Sequence, residues 1–268
     1  MPIQESALRG AVRLLLLLLA SVALLVLTSI PIALASLGGR RARFKVVLAL
    51  TPLFGHVMAF CCGLHVRVVG KRQRDALVFV GNHVGYLDIL VATIGVGGVF
   101  VSRHDVKDWP VIGLFARLAG TVFIDRSSIR SAVESSAGLA ERAREGVRIA
   151  LFPEGGTSSG DTVRDFKPFL FGAVSAAGFI VQPYVIHYTH IGNVPLTPEN
   201  RNLVYWYDPA PPFHTHGWRM LKLPSVHATI TFLEPVAPPR LESPRESARA
   251  LAELLHQRVG SAFARRAS

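Results

Sequence analysis

The chain reads as an α/β protein: a mixed, mainly parallel sheet flanked by helices, preceded by a two-helix membrane anchor. Three observations predict this. From residue 65 onward, short β-branched runs alternate with amphipathic or small-residue stretches, the pattern of strands covered by helices. Much of the 50% hydrophobic content lies before that point, in two long apolar runs. A length of 268 residues holds one such domain with a buried core and leaves material for an anchor. The division expected is 1–64 for the anchoring helices and 65–268 for the folded domain.

No charged residue occurs from Leu14 to Leu37, a stretch long enough to cross a bilayer. A second apolar stretch runs from Val46 to Leu64, with Pro52, Gly55 and His56 inside it. A cleaved leader fits poorly, because the first run exceeds a signal core and a second run follows. Basic residues flank both ends: Arg9 and Arg13, then Arg40, Arg41, Arg43 and Lys45, then Arg67, Lys71, Arg72 and Arg74. A spanning hairpin therefore has no consistent positive-inside orientation. Two helices within one leaflet, or one span followed by a shallow helix, remain the alternatives.

Strands are expected at His65–Val69, Ala76–Val80, Val99–Ser102, Thr121–Ile124, Val147–Phe152, Ile180–His187, Leu203–Tyr207 and His227–Leu233. Helices are expected at Asp88–Val96, Trp109–Leu118, Ser127–Glu145, Phe166–Ala177 and Glu246–Ala264. Ser127 or Ser128 is the expected cap of the third helix and Gly146 its stop. The stretches 209–212 and 237–244 read as proline-bearing loops.

A net charge of +11 implies an anionic partner. Nucleic acid is set aside, because no recognition-helix or zinc-finger pattern and no basic stripe interleaved with aromatics is present. An anionic membrane surface suits basic clusters beside apolar runs, and an acidic carrier protein is a second candidate. Cys61 and Cys62 are adjacent and lie in an apolar run, so they read as fillers. Together with the absence of a disulfide framework they fit a reducing, cytoplasm-facing domain attached to the cytoplasmic membrane.

Three segments carry chemistry, each after an apolar strand. The first runs from Asn82 and His83 to Asp88: a histidine can act as base, with an aspartate fixing its tautomer. The second, Gly120 to Arg126, ends in Asp125-Arg126, whose guanidinium fork suits a phosphate or carboxylate. The third is Phe152-Pro153-Glu154-Gly155-Gly156-Thr157-Ser158-Ser159-Gly160, where glycines and exposed amides can hold an anion or a carbonyl oxygen. Alone, the first reads rather as a capped helix start and the third as a polar turn, and the second reads equally well as a surface ion pair.

In order, the three resemble the motifs of glycerolipid acyltransferases typified by 1-acylglycerol-3-phosphate acyltransferases, written NHxxxxD, GxxFIDR and FPEGTRS. Val181 to Ile186 resembles the proline-bearing strand that forms a fourth block, so the likeness covers roughly residues 76–187. It implies transfer of an acyl chain from an acyl carrier protein or coenzyme A thioester to a lysolipid hydroxyl, without metal or cofactor. His83 would be the base and Asp88 its orienter. Asn82, Arg126, Glu154, Gly155, Gly156, Thr157 and Ser158 would line the substrate, with Glu154 and Arg126 at the acceptor head group and the Gly155 and Gly156 amides at the oxyanion.

One departure concerns the acceptor. The arginine of FPEGTRS falls on Thr157, and losing its charge-assisted contact would cost roughly 1.5–3 kcal/mol unless Arg126, Arg164 or Lys167 replaces it. A branch acting on lyso-ornithine lipid resembles the chain at Thr157-Ser158 and at Tyr86-Leu87-Asp88-Ile89, so two acceptors stay open. Two other readings compete. A metal-dependent membrane-bound hydrolase would use His187, His190, His214 and His216, whose spacing matches no zinc pattern. A non-enzymatic membrane adaptor leaves the ordered motifs unexplained.

Overall fold

The computed structural model describes residues 3–124 and 129–267. Two long helices open the chain, α1 (Ala7–Leu37) and α2 (Arg40–Cys62). Then follow β1 (Leu64–Val69), β2 (Val78–Val80), α3 (Leu87–Gly95), β3 (Val99–Arg103), α4 (Ile112–Ala119), β4 (Val122–Ile124), α5 (Ile129–Arg144) and β5 (Ile149–Leu151). The second half holds α6 (Gly172–Ala176), β6 (Val181–Ile191), β7 (Val194–Pro195), α7 (Phe213–Lys222), β8 (Val226–Phe232) and α8 (Pro244–Ala267).

The strands form one sheet in the order β1-β8-β6-β2-β5-β3-β4, with β7 paired to β6. Neighbours are parallel except β6 with β8 and with β7, which gives the mixed, mainly parallel sheet that the sequence predicts. Central β2 and β5 are buried at every position, hence their unbroken apolar runs. One apolar core holds Val80, Leu151, Leu139 and Leu255, and the other holds Phe79, Leu87, Val91 and Ile230. Because β2 and β5 are parallel neighbours, the loops after them leave the same edge of the sheet.

Both N-terminal helices are long and apolar enough to cross a membrane by length and composition. Along α1, a continuous stripe that includes Leu8, Val12, Leu15, Leu19, Val22, Val26, Ile30 and Leu34 is exposed. Basic residues around the pair have a structural task that the sequence reading did not anticipate. Arg13 donates to the carbonyls of Leu221, Leu223 and Pro224 at the end of α7, and Arg9 to that of Lys222. Arg43 donates to Leu118 at the end of α4, and Arg72 with Arg148 to Val96 at the end of α3. Each of these helix ends has carbonyls without an intrahelical partner and a negative dipole end, which a guanidinium satisfies at once.

Two expectations are corrected and one helix is added. Leu203–Tyr207 is not a strand: a single 3-10 turn, Arg201–Leu203, leads into a loop in which the Trp206 N–H donates to Val84 O. That backbone serves the loop after β2 instead of a sheet neighbour. The helix expected over Phe166–Ala177 divides into a 3-10 turn, Pro168–Phe171, and the short α6. Helix α7 was missed, since Thr215 and Gly217 lower its helix propensity; its signal was the spacing of His216, Met220 and Leu221, which it buries. The expected Ser127/Ser128 cap lies outside the described residues.

Candidate active site

The loop after β2 passes directly into α3, and nearly every polar group in it is held. Gly81 opens it because a side chain there would overlap the Tyr184 ring, with a Cβ only 2.1 Å away. The Asn82 amide closes a two-bond ring on β6: Nδ2 donates to Ile186 O at 3.0 Å and Oδ1 accepts from Ile186 N at 2.8 Å. At 1% exposure Asn82 is a pin between strands, whereas the motif placed it among the substrate contacts.

His83 Nδ1 donates to Asp88 Oδ2 at 2.8 Å, with the imidazole partly open to solvent and Asp88 fully buried. The same Oδ2 accepts from the N–H groups of Val84 and Gly85, at 2.6 and 2.9 Å. Asp88, in the first turn of α3, thus holds the loop that precedes the helix as well as the imidazole. Its other oxygen, Oδ1, accepts from the Tyr188 hydroxyl at 2.7 Å. The Phe152 ring stacks on the imidazole at 4.2 Å between centroids and 13° between planes. This geometry leaves His83 Nε2 with no partner among the described residues. Tyr188 belongs to no motif, and Phe152, though it opens the third block, was given no role there; an aromatic in an apolar strand gives no sign in sequence that it touches the His83–Asp88 pair.

The loop after β5 clamps the first loop from the side. Glu154 Oε1 accepts from His83 N at 2.5 Å and Oε2 from Arg164 N at 2.8 Å. Burial pushes this carboxyl up to about 7, against the lowering effect of both backbone bonds and of His83. With 3% exposure and both oxygens engaged, Glu154 is a strap between the loops, where a head-group contact was expected. Ser158 is also structural, its N–H and hydroxyl both donating to His83 O.

Gly155 takes a positive φ of 81°, which lets the chain reverse after the strand. Its N–H donates to Phe152 O, so it is not aimed at a ligand. The amides of Gly156 and Thr157 have no partner among the described residues. Arg164 reaches back over this turn, Nη1 donating to Thr157 O at 3.2 Å. A guanidinium therefore sits beside the two positions at which the motif's Thr-Arg is missing. Arg126 lies outside the described residues.

Two histidines of the metal reading have other partners. His216 bonds the Tyr86 hydroxyl and Asn202 O, and His187 bonds Phe263 O. Among the described residues no three His, Cys, Asp or Glu side chains are grouped to hold an ion.

A helix-flanked, mainly parallel sheet with a buried-Asp/His pair at the end of a central strand, strapped by a Glu-Gly loop, defines a class of α/β protein built around one basic nitrogen. Comparison with known proteins says which. The family model described as "Acyltransferase" matches residues 65–187. The lyso-ornithine lipid O-acyltransferase of Pseudomonas aeruginosa is 34% identical over 66% of this chain and 70% of its own length. That of Rhizobium meliloti is 39% identical over 56% of this chain and 54% of its own. The match thus spans about half the length of that relative. The crystal structure of the 1-acyl-sn-glycerophosphate (LPA) acyltransferase from Thermotoga maritima superposes with a TM-score of 0.56, at 20% identity, over 93% of this chain and 97% of the other. The chain belongs to the acyltransferase family.

Proposed function

We propose that the protein is an O-acyltransferase that moves a fatty acyl chain from an acyl-carrier-protein or acyl-CoA thioester to the free hydroxyl of a lysolipid during membrane lipid synthesis. The observation that carries this reading is the His83–Asp88 pair, bonded at 2.8 Å through Nδ1, with Nε2 unpartnered among the described residues. Nε2 takes the proton of the acceptor hydroxyl as its oxygen attacks the thioester carbonyl. The amides of Gly156 and Thr157, unlike that of Gly155, have no partner among the described residues, and in this reading they receive the oxyanion. Collapse breaks the C–S bond, and the imidazolium returns the proton to the departing thiolate. No acyl-enzyme, metal or cofactor enters the scheme.

Lyso-ornithine lipid is the acceptor proposed, ahead of 1-acylglycerol-3-phosphate. Thr157 stands where the phosphate-binding arginine of the motif is expected, and the two relatives reported above carry lyso-ornithine names. Arg164 beside Thr157 offers the carboxylate of that head group a cationic partner. Residues 65–268 would form the catalytic domain and 1–64 the anchor, attached to the cytoplasmic membrane with the catalytic side facing the cytoplasm. Attachment within one leaflet is favoured because α1 packs lengthwise. Its start is tied to α7, and Ser29, Ile32 and Ala33 near its end line a cleft with Leu114 and Leu118 of α4.

The test is transfer of labelled acyl groups from carrier protein or coenzyme A to each lysolipid, using membranes with wild type or His83→Ala. Transfer to lyso-ornithine lipid in wild type, falling roughly 10²–10⁴-fold in the variant, is expected. Preference for the phosphate acceptor would overturn the acceptor assignment. Undiminished transfer in the variant would overturn the role of His83.

A further inference from the structure

We infer that Tyr188 is a positioning residue of this site, its hydroxyl holding the Asp88 carboxylate in the orientation that keeps His83 Nε2 available as a base. The inference rests on the acyl-transfer reading for its consequence, but its geometry stands independently. Tyr188 lies just beyond the segment that the family model matches, and no motif in the sequence marks it.

Asp88 Oδ2 receives three donors: His83 Nδ1, Val84 N and Gly85 N. Oδ1 receives Tyr188 alone among the described residues, at 2.7 Å. The carboxylate has no exposure, so no bulk water can replace that donor. Burial, with Asp88 next to it, keeps the Tyr188 hydroxyl protonated well above the ordinary tyrosine range, so it acts as a donor at any working pH. Its ring packs edge-on against Tyr205 at 5.8 Å, a contact that phenylalanine would retain. The groups facing the pair are Glu154 on the His83 backbone, Tyr184 and Tyr205 near Asp88, and Tyr86 near Tyr188. None of these three tyrosines is hydrogen-bonded to the carboxylate.

Removing the hydroxyl withdraws stabilisation from the ionised carboxylate. The His83–Asp88 pair then takes up its proton at higher pH, whichever member carries it. A purely structural role would lower the amount of active protein equally at all pH values.

The experiment compares full-length wild type, Tyr188→Phe and Tyr184→Phe in detergent micelles. Tyr184 is a control on the same strand, fully buried, with a hydroxyl that has no partner among the described residues. The pair is titrated by NMR of labelled His83 and Asp88, and the pH profile of acyl transfer is recorded alongside. For Tyr188→Phe we expect the midpoint and the acid limb to move up by roughly one pH unit. Neutral-pH kcat should fall about tenfold, with acceptor KM within about twofold. Tyr184→Phe should follow wild type. Incorporation of 3-fluorotyrosine at position 188, a stronger donor of nearly the same shape, should move the midpoint down and covers the case in which Tyr188→Phe folds poorly. A midpoint that coincides with wild type in both position-188 variants, or an equal shift in Tyr184→Phe, would overturn the inference. Because the titration needs no turnover, a protein that transfers no acyl group would refute the function without deciding this point.

Discussion

The two N-terminal helices and the loop after β2 solve opposite problems. Helix α1 carries its leucines outward and sends its arginines inward, onto the backbone at the end of α7. The loop carries polar side chains inward: Asn82 and Asp88, together with Glu154 from the loop after β5, are buried with every side-chain oxygen bonded. Exposed apolar surface on this scale is penalised by water, and the lipid proposed above would cover it. Buried polar atoms call for partners from the protein itself, since each unpaired one costs about 1–3 kcal/mol. Charge near an apolar helix is therefore no guide by itself to a membrane surface.

The largest effect should come from reversing the outward face of α1. Replacing Leu15, Leu19, Val22 and Val26 with glutamine removes on the order of several kcal/mol of apolar burial in lipid. The protein should leave the membrane pellet on sedimentation, while circular dichroism of the remaining fold is unchanged. Retention in the pellet would show that this stripe is not the attachment.

A smaller effect tests the inward polarity of the site. Glu154 is raised from an ordinary 4.5 to about 7, so the folded state holds its proton more tightly than the unfolded chain does. Folding stability from this group is then fully present below about pH 4.5 and is lost as pH rises towards 7, on the order of 3 kcal/mol in all. Glu154→Gln should flatten the fall in melting temperature across that window. An unchanged slope would mean that another group carries it.

The smallest effect compares two arginines beside the same helices. Arg13→Ala removes three bonds to the end of α7 and should cost about 1–3 kcal/mol, seen as faster hydrogen exchange at Leu221–Leu223. Arg41 is exposed and has no partner among the described residues, so Arg41→Ala should stay within about 0.5 kcal/mol of wild type. Equal losses would erase the distinction between capping and solvated arginines.

The sequence by itself determined the alternation of strands and helices, the two apolar helices and the His83–Asp88 relation, because periodicity and a five-residue spacing are local properties. Tertiary structure alone decided the rest. Asn82 meets Ile186 across 104 residues, Asp88 meets Tyr188 across 100, and Arg13 meets Leu223 across 210. The segment at Leu203–Tyr207 had strand composition, yet its backbone bonds went to Val84 and Arg201 in place of the sheet. A motif names the residues that meet at a strand end. Whether a carboxylate there faces substrate or backbone depends on which distant N–H or O–H burial leaves within hydrogen-bond reach, and no local pattern encodes that.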